Sequence, residues 1–249
     1  MIAERRGESL RKKYMKDVYS QSWTKRRKNQ YGFLQYDRNL CDLIISKVPM
    51  NSSLLDLAGG SGYPIADFLQ KTGYNVVNSD ISLNLLRDAR STNNQIQNAA
   101  SDAEMLCFQN GVFDAVYCFH STWYFPNLIA VVNEMLRVVK KDGLILFDIQ
   151  NRNNEFINFA YEMRMSKQKT SLARIKRFVK NFARLTVGKD LKWRAVIYEI
   201  PTYPEDLYTC LNRERLDFDI LGRKNDALEK QEKPNSFTEY DRLVFLIHR

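Results

Sequence analysis

Nine consecutive residues, Leu54-Leu55-Asp56-Leu57-Ala58-Gly59-Gly60-Ser61-Gly62, are followed eighteen positions after Gly62 by Asp80, and together they have the types and spacing to hold a nucleoside. The stretch reads as a short apolar strand, a tight glycine-rich turn, and a helix opening near Tyr63-Pro64-Ile65. Asp80 closes the next strand, Tyr74-Asn75-Val76-Val77-Asn78-Ser79. Small residues let the main chain approach a ligand closely, a helix N-terminus offers unpaired N–H groups, and a carboxylate accepts hydrogen bonds from both ribose hydroxyls. Glycine in a tight turn can also answer backbone needs alone. The succession of strand, turn, helix and acid is what points to a ligand.

Those residues require a scaffold, and the chain alternates accordingly. Leu40, Leu43, Ile44 and Val48 form a helical stripe. Strand one is expected at about 53–57, with a helix from Pro64 to Gly73. Strand two follows at 74–79, then a helix through Leu85, Leu86 and Ala89, and a short strand three near Ile96–Ala100. Strand four is expected at 114–119, and a helix from Asn127 carries Leu128, Val131, Val132, Met135 and Leu136 on one face. Lys141-Asp142-Gly143 turns into strand five, Leu144–Ile149. Such alternation argues for a parallel sheet covered on both faces. Leu216–Leu221 and Arg242–His248 read as two further strands without a long helix between them, free to pair antiparallel.

Residues 151–205 interrupt the rhythm. Within them Leu172, Ile175, Phe178, Val179, Phe182 and Leu185 share one helical face, and Arg174, Lys176, Arg177, Lys180 and Arg184 the opposite one. This insertion is a docked helix, a lid over the ligand end of the sheet, or a membrane-surface helix. Residues 1–36 form a basic, partly helical N-terminal segment in which Tyr14, Tyr19 and Trp23 could close over the site. The whole chain, 1–249, is expected to be a single domain.

Hydrophobic residues make up 44% and charged residues 27%, ordinary values for a globular chain. No apolar run approaches a transmembrane length, and the charged N-terminus lacks an apolar signal segment, so a cytoplasmic location is expected. Cys41, Cys107, Cys118 and Cys210 are scattered without a CxxC pair, which reads as buried reduced thiols; no metal site is expected. The net charge of +9 is concentrated in Arg5–Lys28 and Arg164–Arg194, which suits an anionic partner or merely a solvated basic face.

Taken together the motifs resemble those of class I S-adenosylmethionine (SAM)-dependent methyltransferases of the broad small-molecule type, over about residues 37–150. Asp56-Leu57-Ala58-Gly59-Gly60-Ser61-Gly62 matches the family's first motif, except that Ala58 stands at its first glycine. The resemblance implies a Rossmann-like α/β fold: a mostly parallel seven-stranded sheet with helices on both faces, an antiparallel C-terminal strand and a helical insertion after strand five. It implies SAM as cofactor, held by Asp56, Ala58, Gly59, Gly60 and Gly62, by Asp80 and Ile81 at the ribose, by Asp102 and Ala103 at the adenine, and by Phe119. Phe113–Phe119 resembles the family's fourth strand, and Asn133–Gly143 its run into strand five. There Asp142 replaces a glycine, and Glu134 and Arg137 are structural on the family's pattern.

Methyl transfer from a sulfonium is an in-line displacement, so alignment and exclusion of water do most of the work. A general base helps when the acceptor is a hydroxyl. His120, directly after strand four, is the candidate base or acceptor-orienting residue, with packing as the competing role. Trp123 and Tyr124, with Phe125, could wall the acceptor or the sulfonium. Asn151 and Arg152, just past strand five, face the expected acceptor side, where Arg152 could grip a phosphate or carboxylate. The favoured reading is methyl transfer to an oxygen or nitrogen of a small anionic acceptor, such as a sugar nucleotide, phosphorylated metabolite or glycan precursor. An RNA methyltransferase, or a SAM-binding interaction protein without catalysis, is the alternative.

Overall fold

The computed structural model describes Lys12 and residues 27–169, 199–231 and 234–249. Eight strands form one sheet: β1 (Ser53–Leu57), β2 (Asn75–Asp80), β3 (Gln97–Ala100), β4 (Phe113–Cys118), β5 (Val139–Gln150), β6 (Asp217–Lys224), β7 (Ala227–Gln231) and β8 (Arg242–His248). Their spatial order is β3-β2-β1-β4-β5-β8-β6-β7. The first five run parallel. β8 pairs antiparallel with both β5 and β6.

The α-helices with described bounds are α1 (Gln35–Lys47), α2 (Ile65–Thr72), α3 (Leu83–Thr92), α4 (Leu128–Val138), α5 (Glu155–Lys169) and α6 (Pro204–Arg213). The strands alternate in and out, so each apolar strand serves two cores. Leu55, Leu57, Val116, Cys118, Ile145 and Phe147 pack on one face with Val131 and Met135 of α4 and Leu207 of α6. Leu54, Ala115, Tyr117 and Leu146 pack on the other, with Leu40 and Ile44 of α1 and Ala66 and Leu69 of α2. Helix ends follow the expected chemistry. Gly73 ends α2 at φ +109, and Asn127 caps α4 by accepting from Ala130 N.

Three expectations change. The sheet has an eighth strand: β6 turns back into β7 through Asn225 and Asp226, both left-handed at φ +48 and +65, as a tight hairpin requires. β7 is an exposed edge, so no apolar run marks it in the sequence. Strand five also starts earlier: Val139 already pairs with Phe113, and residues 140–143 form an irregularity within the strand before Leu144 pairs with Ala115. Of the cysteines, Cys41 and Cys118 are buried, but Cys107 is exposed and Cys210 half-buried, because both lie outside the strands. No described helix is long and apolar enough to cross a membrane. The expected helix at 171–185, and Tyr14, Tyr19 and Trp23, lie outside the described residues.

Candidate active site

The sheet order reverses between β1 and β4, and the crevice beyond their C-terminal ends is where open α/β sheets take ligands. The loop after β1 carries Ala58 to Gly62, and the loop after β4 carries His120 and Ser121. Ser121 Oγ donates to Ala58 O at 3.0 Å and joins the two loops across the crevice. Gly59 N donates to Ser79 O at 3.2 Å and Gly62 N to Gly59 O at 2.9 Å, which sets the turn against the end of β2.

Ala58 sits at φ +56 and Asp142 at φ +65, the two places where the sequence departs from the family's glycines. Both keep the backbone a glycine would have. Aspartate tolerates that region through local hydrogen bonding, whereas alanine bears a cost of about 1 kcal/mol. Gly59 is constrained by space. A Cβ there would run into the Asp56 carboxyl group and lie 2.5 Å from Asn78 Oδ1.

Beneath the turn lie two buried carboxyl groups. Asp80 Oδ2 accepts from Gly60 N at 3.0 Å and its Oδ1 from Ser82 N at 2.8 Å. Burial pushes Asp80 up to about 6, although those main-chain donors and that of Ile81 pull the other way. Asp56 is cross-strand from Tyr117. Burial, and then the neighbouring Asp80, push it up to about 8. Asn78 is fully buried; its amide nitrogen donates to Gly60 O and Asn98 Oδ1, and its Oδ1 has no partner among the described residues.

This arrangement suits SAM. Gly59 supplies room, Asp80 retains lone pairs for two hydroxyl donors, and a sulfonium would favour the charged form of both acids. Ile81, next in the chain to Asp80, is half-buried. Ala103 is buried. Asp102 Oδ1 accepts from Glu104 N at 3.0 Å, while Lys12 Nζ reaches Asp102 Oδ2 at 2.8 Å and Glu104 Oε2 at 2.7 Å. Phe119 is buried and stacks on Tyr117 at 5.4 Å, so its side chain is spent on the core.

His120 lies at φ +60, an uncommon conformation for a residue with a side chain. Its Nδ1 is 2.7 Å from Arg242 Nη1 and its Nε2 2.7 Å from Asp37 Oδ1. Arginine can only donate, so Nδ1 must accept, which makes the ring neutral with its proton on Nε2 facing Asp37. Around it runs a buried network. Asp37 also accepts from Arg27 Nη2 at 2.7 Å and Leu34 N at 2.9 Å, and Arg242 donates to Asp148 Oδ2 at 3.0 Å. Asp148 Oδ1 accepts from His120 N at 2.7 Å. Tyr36 lies edge-on to the imidazole, and its hydroxyl is 3.4 Å from Asp148 Oδ2. Asp37 is held below the usual carboxylate range: its burial opposes this, but the hydrogen bond from His120 and the Arg27 guanidinium outweigh it.

Trp123 is buried, with the Arg242 guanidinium 4.6 Å over its ring, and it packs on half-buried Tyr124. Asn151 corrects the expectation of a substrate contact. It is fully buried and its amide donates to Phe237 O at 2.5 Å and Tyr240 O at 2.7 Å, so it fastens the loop before β8. Arg152 is stacked over Tyr161 and Tyr203, 4.6 Å from each ring centroid, and pairs with Glu162 at 3.1 Å. Asp37, Arg27, Asp148 and Arg242 belong to no local motif, and only tertiary packing joins them. The one visible signal was Asp148, a lone charge inside the apolar run Leu144–Ile149.

Residues 55–147 match the family described as methyltransferase domain. The chain is 29% identical over 135 residues to an uncharacterized protein of Methanocaldococcus jannaschii, which covers 54% of this chain and 50% of that one. It is 33% identical over 93 residues to a demethylmenaquinone methyltransferase of Beutenbergia cavernae, 37% of this chain and 38% of that protein. Its fold is similar to that of an S-adenosylmethionine-dependent methyltransferase from Clostridium acetobutylicum, at a TM-score of 0.59 and 16% identity over 90% of this chain and 96% of the other. The chain spans half or less of the length of the curated relatives it matches.

Proposed function

Because residues 55–147 form a methyltransferase domain of the class I SAM-dependent family, we propose that the whole chain transfers a methyl group to an oxygen or nitrogen of a small anionic acceptor. The observation that carries this reading is the crevice at the sheet's reversal point, where the Gly59 cradle lies against Asp56, Asn78 and Asp80. SAM, when bound, supplies an electrophilic methyl group on a sulfonium. Asp80 would hold the ribose, the turn from Ala58 to Gly62 the methionine end, and Asp102 with Ala103 the adenine.

At the acceptor end, Arg152 is the cation on offer. Its partner Glu162 is 58% exposed, so the pair is weak and can exchange for an acceptor phosphate or carboxylate. Of the two roles open to His120, we assign it the orienting one, since its single lone pair is held by Arg242 and its proton by Asp37. The acceptor would then bring its own nucleophilic lone pair, as a neutral amine does.

Calorimetry with SAM, followed by turnover to S-adenosylhomocysteine on candidate acceptors, tests the reading. Asp80→Ala should weaken SAM by about tenfold through loss of charge-assisted hydrogen bonds. Absence of SAM binding at high micromolar concentration would sink it. Arg152→Ala should raise KM for the acceptor and leave SAM affinity alone, and an unchanged KM would remove the anionic acceptor. Loss of the acidic limb of the kcat–pH profile in His120→Ala would restore His120 as a base.

A further inference from the structure

We propose that the outward face of α5 docks on an anionic lipid surface. Isolated exposed apolar side chains are ordinary, but contiguous ones mark a partner. Phe156, Phe159 and Met163 are 75%, 65% and 42% exposed, and their spacing of three and four residues places them on one face of the helix. Ile200 and Tyr203, where the chain returns toward the sheet, are also exposed. Arg164 at the far end of α5 pairs with Glu199 at 2.9 Å, linking the helix to that returning chain.

Charge selects the partner. Between Arg164 and Arg194 the sequence holds eleven Lys and Arg against one acid, Asp190, a net charge of +10 where the whole chain carries +9. An apolar stripe followed by such a stretch is complementary to an interface that is greasy beneath and anionic on top. Nucleic acid would use the charge and leave the phenylalanines idle. α5 starts just past the C-terminal end of β5, so a docked surface would lie on the ligand side of the sheet. The docking face would stand even if the chain transferred no methyl group.

Sedimentation of the full chain with vesicles of equal parts phosphatidylglycerol and phosphatidylcholine, against phosphatidylcholine alone, tests this. Binding is expected only to the anionic vesicles, weakened by salt, and cut by about tenfold in Phe156→Ser/Phe159→Ser. Both rings are mostly exposed, so an unchanged melting temperature should accompany the loss. Failure to bind anionic vesicles would overturn the proposal, as it would if the chain's own residues 171–185 cover the stripe. Equal vesicle binding by the double variant would overturn the role of α5, and binding to single-stranded RNA without vesicle binding would replace lipid by nucleic acid.

Discussion

Ala58 and Gly59 are neighbours in one turn, yet they answer to different constraints. Ala58 has room but the wrong backbone region, at φ +56; Gly59 has no room beside Asp56 and Asn78. Ala58→Gly should therefore stabilise the protein by roughly 0.5–1 kcal/mol in thermal denaturation, the relief of strain exceeding the added chain entropy. Gly59→Ala should destabilise it by about 2 kcal/mol or more and abolish SAM binding, since the buried Asp56 must move. A lower melting temperature for Ala58→Gly would contradict the first expectation. The acids below the turn give a pH dependence. Asp56 rises from 3.8 to about 8 and Asp80 from 3.8 to about 6, so the folded state retains protons that the unfolded chain has already lost. Stability from this pair should fall as pH rises from about 4 to about 8. Asp37, whose folded value is depressed, acts in the opposite sense and only in acid. Melting temperatures between pH 5 and 8.5 should decline, and Asp56→Asn should flatten the decline. A slope unchanged in Asp56→Asn would mean that Asp56 is ionised throughout.

At the level of elements, Arg137 and Glu134 hold α4 to the loop that follows Asp102. Arg137 donates to Leu106 O at 3.0 Å and Phe108 O at 2.8 Å, and Glu134 accepts from Leu106 N at 2.6 Å. The Arg137 hydrogen bond keeps the Glu134 carboxyl below its usual range. Arg137→Ala should loosen residues 101–110 and speed their amide exchange by about tenfold relative to β4, with weaker SAM binding as the consequence. Uniform exchange across the chain would show global destabilisation instead. Much of this level was legible in advance. The glycine at the end of α2, the asparagine that opens α4 and the apolar run of β5 are local signals. β7 was not, because an exposed edge strand carries no burial pattern.

Across the whole molecule, the His120 network ties four elements of the fold together. Asp37 comes from α1, His120 and Asp148 from the ends of β4 and β5, and Arg242 from the start of β8. Asp148 is fully buried, and Arg242 is the one Lys or Arg within 4.0 Å of it among the described residues. Arg242→Met should cost about 3 kcal/mol or more by orphaning that carboxylate. Arg242→Met/Asp148→Asn should recover much of the loss in chemical denaturation. A double variant no better than the single would mean that packing on Trp123 and Tyr36 outweighs the charge.

The alternation of strands and helices, β7 apart, and the glycine-rich turn with the acid that follows it could be read from residue types and spacing, because each rests on contacts within some twenty residues; the methyl donor followed from the family resemblance those motifs carry. The fate of His120, Asn151 and Arg152 could not. Whether a polar side chain faces a ligand or is consumed by a partner depends on residues up to 122 positions away, which only packing brings within hydrogen-bond reach. Short-range periodicity records which face of an element is buried, and it is silent on who waits there.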